Sequence, residues 1–293
     1  MTIRPRRSVL YVPGSNPRAI EKSRSIPADV LVFDLEDSVF PSDKDEARAR
    51  VVEALRDGGF GIRETVVRVN GLRTEWGASD LMAIARCGAD GVLLPKVATP
   101  GDIMFAASDL SKASAPDHLA LWAMLETPDA VLNASALART AADPASRLMV
   151  LVMGTNDLAK DTRIRMRPGR APLAAWLSIC VAAARSAGLD IIDGVFNGLD
   201  DQDGLRTECE QGRDFGMDGK SCVHPGQVGI CNDVFSPQAE DIAWARKVVA
   251  AFGHPESANK SVLRVDGMMV ERLHASAAAR VLTLGEAIES RHF

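Results

Sequence analysis

Short runs of Val, Ile and Leu recur along the chain, each followed by a longer segment of helical character. Eight such runs read as strands: SVLYVPG (8–14), ADVLVFDLED (28–37), ETVVRVNG (64–71), GADGVLLPKV (88–97), LALWAMLET (119–127), RLMVLVMGTND (147–157), DIIDGVFN (190–197) and MDGKSCVHP (217–225). Near-continuous apolar runs are the pattern of parallel strands buried on both faces. Between the runs the apolar period lengthens. After Ser42, with Asp45 three residues on as an approximate capping box, Ala47, Val51, Val52 and Leu55 share one helical face. Pro172 opens LAAWLSICVAAARSAG, which closes at Gly188 as a helix C-terminus does. Eight strand–helix units predict an α/β fold, a closed (β/α)8 TIM barrel, with an open doubly wound sheet as the alternative that strand counting leaves standing.

Past Pro225 the alternation stops. Ser236-Pro237 opens one more helix through about Phe252, 253–261 reads as a linker, and a short strand or turn then leads into a last helix. The expected organisation is a barrel domain over 1–253 and a C-terminal helical extension over 254–293. That extension is too small to fold alone, so it packs on the barrel or on a neighbouring subunit.

Composition narrows the partners. Of 293 residues, 46% are hydrophobic and 25% charged, an ordinary globular balance. A net charge of −5 argues against a nucleic-acid-binding face. The five cysteines form no Cys-x-x-Cys pair, so neither a zinc site nor a disulfide framework is expected, and reduced thiols suit a cytoplasmic protein. The N-terminus lacks the apolar core of a signal peptide and no later run is long enough to span a bilayer, so no membrane partner is expected.

Candidate chemistry collects where the strands end, the face on which such barrels carry their sites. Strand two ends in Asp34, Glu36 and Asp37, strand three in Arg68 and Asn70, strand four in Lys96, strand five in Glu126, and strand six in Asn156 and Asp157. Polar groups in such places need partners or an ion. Glu126 and Asp157, closing consecutive strands, suit Mg2+, a hard ion that keeps several waters; the bland alternative is that each caps a helix or pairs with an arginine. Arg68 requires an anion, supplied either by Glu36 or Asp37 or by a substrate carboxylate. Gly14 and Ser15 precede a helix carrying Arg18 and Lys22, which reads as an anion site or as an ordinary capped turn. The arginines of 161–170 form a lid or a solvated loop. His224 reads as a hydrogen-bonded structural residue, and Lys96 as an ion-pair partner rather than an imine-forming amine.

Taken in order, RSVLYVPGSNPRAIEKS, VFDLEDSVFPSDKDEAR, VVRVNG, LLPKV, LETPDAV, GTNDLAKD, IIDGVFN and GKSCVHPGQV resemble the citrate lyase β-subunit-like and malyl-CoA lyase family, related to the HpcH/HpaI aldolases. The resemblance runs from about residue 7 to 283. It implies a carbon–carbon lyase that cleaves a β-hydroxyacyl-CoA thioester (malyl-CoA, citramalyl-CoA or similar) into an acyl-CoA and a 2-oxo acid. By the same resemblance Glu126 and Asp157 bind Mg2+, Glu36 and Asp37 support it through its waters, and Arg68 contacts the substrate. Lys22 looks like a contact to the CoA phosphates, to which the anion-site reading of the loop adds Gly14 and Ser15 as substrate- or CoA-binding candidates, and the chain is expected to form a homo-oligomer, a trimer or hexamer.

Two positions depart from that pattern. Glu271, in DGMMVERLH, stands where relatives carry an aspartate donated to a neighbouring subunit's site as acid or base, and Asn16 stands where malyl-CoA lyases tend to have arginine. Three other readings therefore accompany the first: a citrate lyase β subunit acting on an acyl-carrier-protein thioester, a CoA-free 2-oxo acid aldolase, and a non-catalytic CoA-binding homologue.

Overall fold

The computed structural model describes residues 3–257 and 259–291. Eight parallel strands, β1 (Ser8–Pro13), β2 (Val30–Asp34), β3 (Glu64–Arg68), β4 (Gly91–Leu94), β5 (Ala120–Leu125), β6 (Leu148–Met153), β7 (Asp190–Asp193) and β8 (Gly219–Cys222), pair in sequence order. β8 returns to β1, with Val9 opposite Ser221, so the sheet closes. The fold is therefore the TIM barrel expected, and the open sheet is excluded. Each strand falls inside its predicted window but ends earlier. Glu36, Asp37, Asn70 and Lys96 lie in loops, and Asp157 lies in the first turn of the helix Thr155–Thr162.

The interior follows the two-residue period of a strand. Val9, Val30, Val32, Val66, Trp122, Met124, Val150 and Val152 pack together as one buried cluster, with Tyr11 against it. The same alternation, carried one step further along each strand, reaches Asp34 after Val32, Arg68 after Val66, Glu126 after Met124 and Gly154 after Val152. The polar residues at the mouth are thus the next inward positions of apolar strands. Intervening residues such as Phe33 pack outward, its ring 5.2 Å from that of Phe60.

The described chain divides into two compact units, one over Arg6–Asp233 and a second formed by residues 234–291 with 3–5. The division falls ahead of the helix Ala239–Gly253, whereas the sequence placed the boundary behind it. In the second unit Ala245 and Val248 of that helix pack with Val265, Val270 and Ala278. Val265 and Val270 belong to an antiparallel hairpin, β9 (Val262–Val265) and β10 (Met268–Glu271), and Ala278 to the helix Arg272–Glu289. No helix among the described residues is long and apolar enough to cross a membrane.

Candidate active site

At the C-terminal mouth of the barrel lies a cavity of about 360 Å³, lined among others by Tyr11, Asp34, Asp37, Arg68, Met124, Met153, Asn156, Asp157, Val195 and Ser221. Its polar wall is organised around Arg68. The guanidinium grips Asp34 with two bonds, Nε to Oδ1 at 2.6 Å and Nη2 to Oδ2 at 2.8 Å. Nη1 points on towards Glu36 Oε2 at 2.9 Å and Asp37 Oδ2 at 3.2 Å. Burial alone would raise the Asp34 carboxyl, but Arg68 outweighs it and holds the group below the usual carboxylate range. Asp34 also accepts the peptide N–H of Glu36 and of Ser38, which fixes the loop after β2. The two sequence readings of Arg68 therefore meet: it is paired internally, and it still lines the cavity.

Glu126 is 1% exposed. Its Oε1 accepts the Lys96 peptide N–H at 2.6 Å, and Oε2 is buried with no partner. Burial, reinforced by the negative charges of Glu36 and Asp157, pushes its pKa from the ordinary 4.5 to about 7. Asp157 is half-buried and lines the cavity. Lys44 donates to the carbonyls of Leu35 and Glu36, and Lys96 Nζ lies 2.7 Å from Glu36 Oε1. Five carboxylates (Asp34, Glu36, Asp37, Glu126, Asp157) thus face three cations (Arg68, Lys96, Lys44), which leaves two negative charges when all are ionised. An orphaned buried carboxylate oxygen and a surplus of two charges fit a divalent cation with hard oxygen ligands. Among the described residues no group of three or more His, Cys, Asp or Glu is placed to hold a metal, so such an ion would rest on few protein ligands.

Other sequence candidates lie elsewhere. The helix Pro17–Ser23 is capped by Asn16, whose Oδ1 accepts the N–H groups of Arg18 and Ala19, so its own side chain uses amides that an anion would need. Gly14 is buried with no room for a side chain, a Cβ there lying 2.8 Å from the Asp34 carbonyl oxygen, and the Ser15 hydroxyl faces the Ser38 carbonyl at 3.4 Å. Lys22 is exposed, and none of Gly14, Ser15 and Lys22 lines the cavity. Glu271 belongs to the second unit, at the end of β10, where its N–H donates to His274 Nδ1 at 2.8 Å.

Several details correct the sequence reading. Ser42 does not cap the following helix; its hydroxyl bonds to Asp43 Oδ1. Of the arginines in 161–170, Arg170 is buried against Asp193, itself shared with Lys220, and Arg163, Arg165 and Arg167 are exposed. None of the four lines the cavity. Asn70 is used internally, bonded to Asp80, and His224 Nδ1 accepts the Gly226 N–H, the structural role expected of it. Lys96 is ion-paired; burial lowers its pKa, but Glu36 outweighs that and holds it above the ordinary value, which disfavours an imine. Tyr11, Lys44 and Ser221 went unnoticed in the sequence. Tyr11 and Ser221 had a usable signal, the inward register of their strands; Lys44 had none.

The family described as HpcH/HpaI aldolase/citrate lyase matches residues 7–225. A (3S)-malyl-CoA thioesterase of Cereibacter sphaeroides (strain KD131 / KCTC 12085) is 48% identical over 97% of this chain and 96% of its own length. The citrate lyase subunit beta of Escherichia coli (strain K12) is 35% identical over 97% and 94%. The CitE protein of Mycobacterium tuberculosis, solved in complex with magnesium, acetoacetate and coenzyme A, is 28% identical, with a TM-score of 0.72 over 96% of this chain and 98% of that one. Sequence and architecture agree along the whole barrel, and the chain belongs to the HpcH/HpaI aldolase/citrate lyase family.

Proposed function

We propose that the chain is a magnesium-dependent enzyme acting on a short β-hydroxyacyl-CoA thioester of the malyl-CoA type, which it hydrolyses to the free hydroxy acid and CoA. The observation that carries this reading is the 48% identity, along nearly the whole chain, with a (3S)-malyl-CoA thioesterase. Carbon–carbon cleavage into an acyl-CoA and a 2-oxo acid is the second reading, favoured by the 35% identity with a citrate lyase β subunit. The buried, unpartnered Oε2 of Glu126 beside Asp157 supports the cation in both.

Magnesium held by Glu126 and Asp157 would neutralise the substrate's carboxylate and polarise the oxygens of its hydroxyl-bearing end. Arg68, its orientation fixed by Asp34, offers Nη1 to an anionic substrate oxygen in place of Asp37. Glu36 and Asp37, paired with Arg68 and Lys96, would support the ion through its waters. Met124, Met153, Val195 and Val223 form an apolar wall of the cavity, against which the carbon chain of the substrate packs. Glu271 serves as the proton-transfer group, working within a homo-oligomer. In hydrolysis it takes a proton from the water that adds to the thioester carbonyl; the C–S bond then breaks and the CoA thiolate receives that proton. In carbon–carbon cleavage the same group takes the hydroxyl proton, the carbon–carbon bond breaks to release the 2-oxo acid, and the acyl-CoA enolate then takes that proton at carbon. Exposed Lys22, in the last turn of the helix that follows Gly14 and Ser15, meets the CoA phosphates. Five free cysteines, all buried, suit a cytoplasmic protein.

The deciding experiment incubates the protein with (3S)-malyl-CoA in Mg2+ and then in EDTA, following free thiol and glyoxylate together. Hydrolysis releases thiol without glyoxylate. Cleavage releases glyoxylate without thiol. Neither product, with turnover confined to a carrier-protein thioester or to a CoA-free acid, would overturn the CoA-thioester reading.

A further inference from the structure

Among the described residues, Lys96 alone bonds to both Glu36 and Glu126. It is not a glycine, yet its φ is +53°, a left-handed conformation that L side chains rarely adopt. In that turn its two polar groups reach one acidic cluster. The peptide N–H donates to Glu126 Oε1 at 2.6 Å, and the ammonium donates to Glu36 Oε1 at 2.7 Å.

The outcome differs for the two acids. Glu36 has Lys96 on one oxygen and Arg68 Nη1 2.9 Å from the other, so two cations claim it. Glu126 receives only a neutral N–H on Oε1, and its Oε2 is left buried and without a partner. A cation entering the mouth meets Glu126 with no cation on either oxygen, whereas Glu36, whose Oε2 likewise accepts no hydrogen bond, already lies against two.

The geometry points to Lys96 as a positioning residue that reserves Glu126 for the cation and withholds Glu36 from it. The inference rests on the proposed cation site at Glu126 and Asp157. Its consequence is chemical. Two carboxylates neutralise a divalent ion, and a third would leave the assembly with net negative charge. That would weaken the ion as a Lewis acid and take a position needed by substrate oxygen.

Lys96→Met tests this, because it removes the ammonium while keeping the N–H and most of the stem. With Glu36 released as a further ligand, Mn2+ titrated calorimetrically into the folded variant should bind roughly tenfold more tightly, given the size of charge interactions near a protein surface, while kcat falls. General damage would weaken binding and turnover together. In a Glu36→Gln background the same substitution should leave Mn2+ affinity unchanged, since no acid remains to be released. Lys96→Arg should restore the native affinity. Unchanged or weaker Mn2+ binding by Lys96→Met, with a native melting curve, overturns the inference; so does an equal effect with and without Glu36. A native protein that binds no Mn2+ at all removes the cation reading itself, an outcome visible before any substitution is made.

Discussion

Gly154 and Glu126 share a space with room for a single Cβ: one built on Gly154 would lie 2.3 Å from the Glu126 Cβ and 2.8 Å from its Oε2. β6 ends at Met153, and the chain passes this glycine directly into the helix that carries Asp157. The missing side chain therefore sets the spacing of both candidate metal ligands. Gly154→Ala should displace the Glu126 carboxylate, cost about 1–3 kcal/mol of stability through overpacking, and shrink the rise in Tm produced by Mg2+. Thermal unfolding with and without MgCl2 measures both effects. A variant with a full metal-induced rise would separate Glu126 from cation binding.

The Glu126 pKa makes a second prediction. Burial and the charge of Glu36 raise it from the ordinary 4.5 to about 7, so the folded, metal-free protein holds this proton more tightly than the unfolded chain does. The sign follows: as pH rises from about 4.5 to 7, this group lowers stability, by on the order of 3 kcal/mol in total. A divalent cation reverses that cost by replacing the proton. Apparent Mg2+ affinity should weaken about tenfold per pH unit below 7 and level off above it. Titrations at pH 5.5, 6.5 and 8 suffice, and a flat profile would show that the cation does not compete with this proton.

Much of this site was legible in the sequence for a simple reason. The two-residue alternation that places Val30 and Val32, or Trp122 and Met124, inside the barrel continues to Asp34 and Glu126. Asp157 was assigned to a strand end because Val and Met run almost up to it. Gly154 ends that strand early, a close-packing requirement that no periodicity reveals. Side-chain partners outside one strand or helix stayed hidden for a related reason. Lys44 reads as a solvated helix lysine until its ammonium is found on the carbonyls of Leu35 and Glu36. Arg170 reads as one more loop arginine, yet it is buried on Asp193. Each is fixed by a contact from a loop or helix start to a separate segment, which no periodicity reveals.

Arg68→Lys separates charge from shape. A lysine ammonium keeps the positive charge but cannot reproduce two parallel bonds to Asp34 while a third nitrogen faces Glu36 and Asp37. Asp34 would be left partly unpaired in a buried position, at a cost of about 1–3 kcal/mol. We expect kcat/KM to fall by roughly two orders of magnitude, the scale of about 3 kcal/mol lost in the transition state. Mg2+ binding should persist, because neither metal-ligand candidate bonds to Arg68. Near-native kcat/KM would confine Arg68 to a structural role.

Glu271 stands where the family resemblance implies an aspartate, and it follows the exposed residues Met268 and Met269 of the hairpin. Its backbone N–H is tied to His274 Nδ1 at the start of the last helix, so the main chain at this point is fixed while the carboxylate extends one methylene beyond an aspartate. If that carboxylate moves the proton, Glu271→Gln keeps its size and polarity yet removes its basicity. Turnover should then fall by about two to four orders of magnitude, with the Mg2+-induced Tm rise and KM little changed. Glu271→Asp should retain more activity than the glutamine variant, because proton transfer tolerates a shorter acid better than a group that cannot ionise. The pH profile supplies a check that simple loss of packing cannot imitate: the glutamine variant should lose the limb that reports the general base. Equal kcat in the native and glutamine forms would exclude Glu271 from proton transfer and place the base among the residues of the barrel mouth.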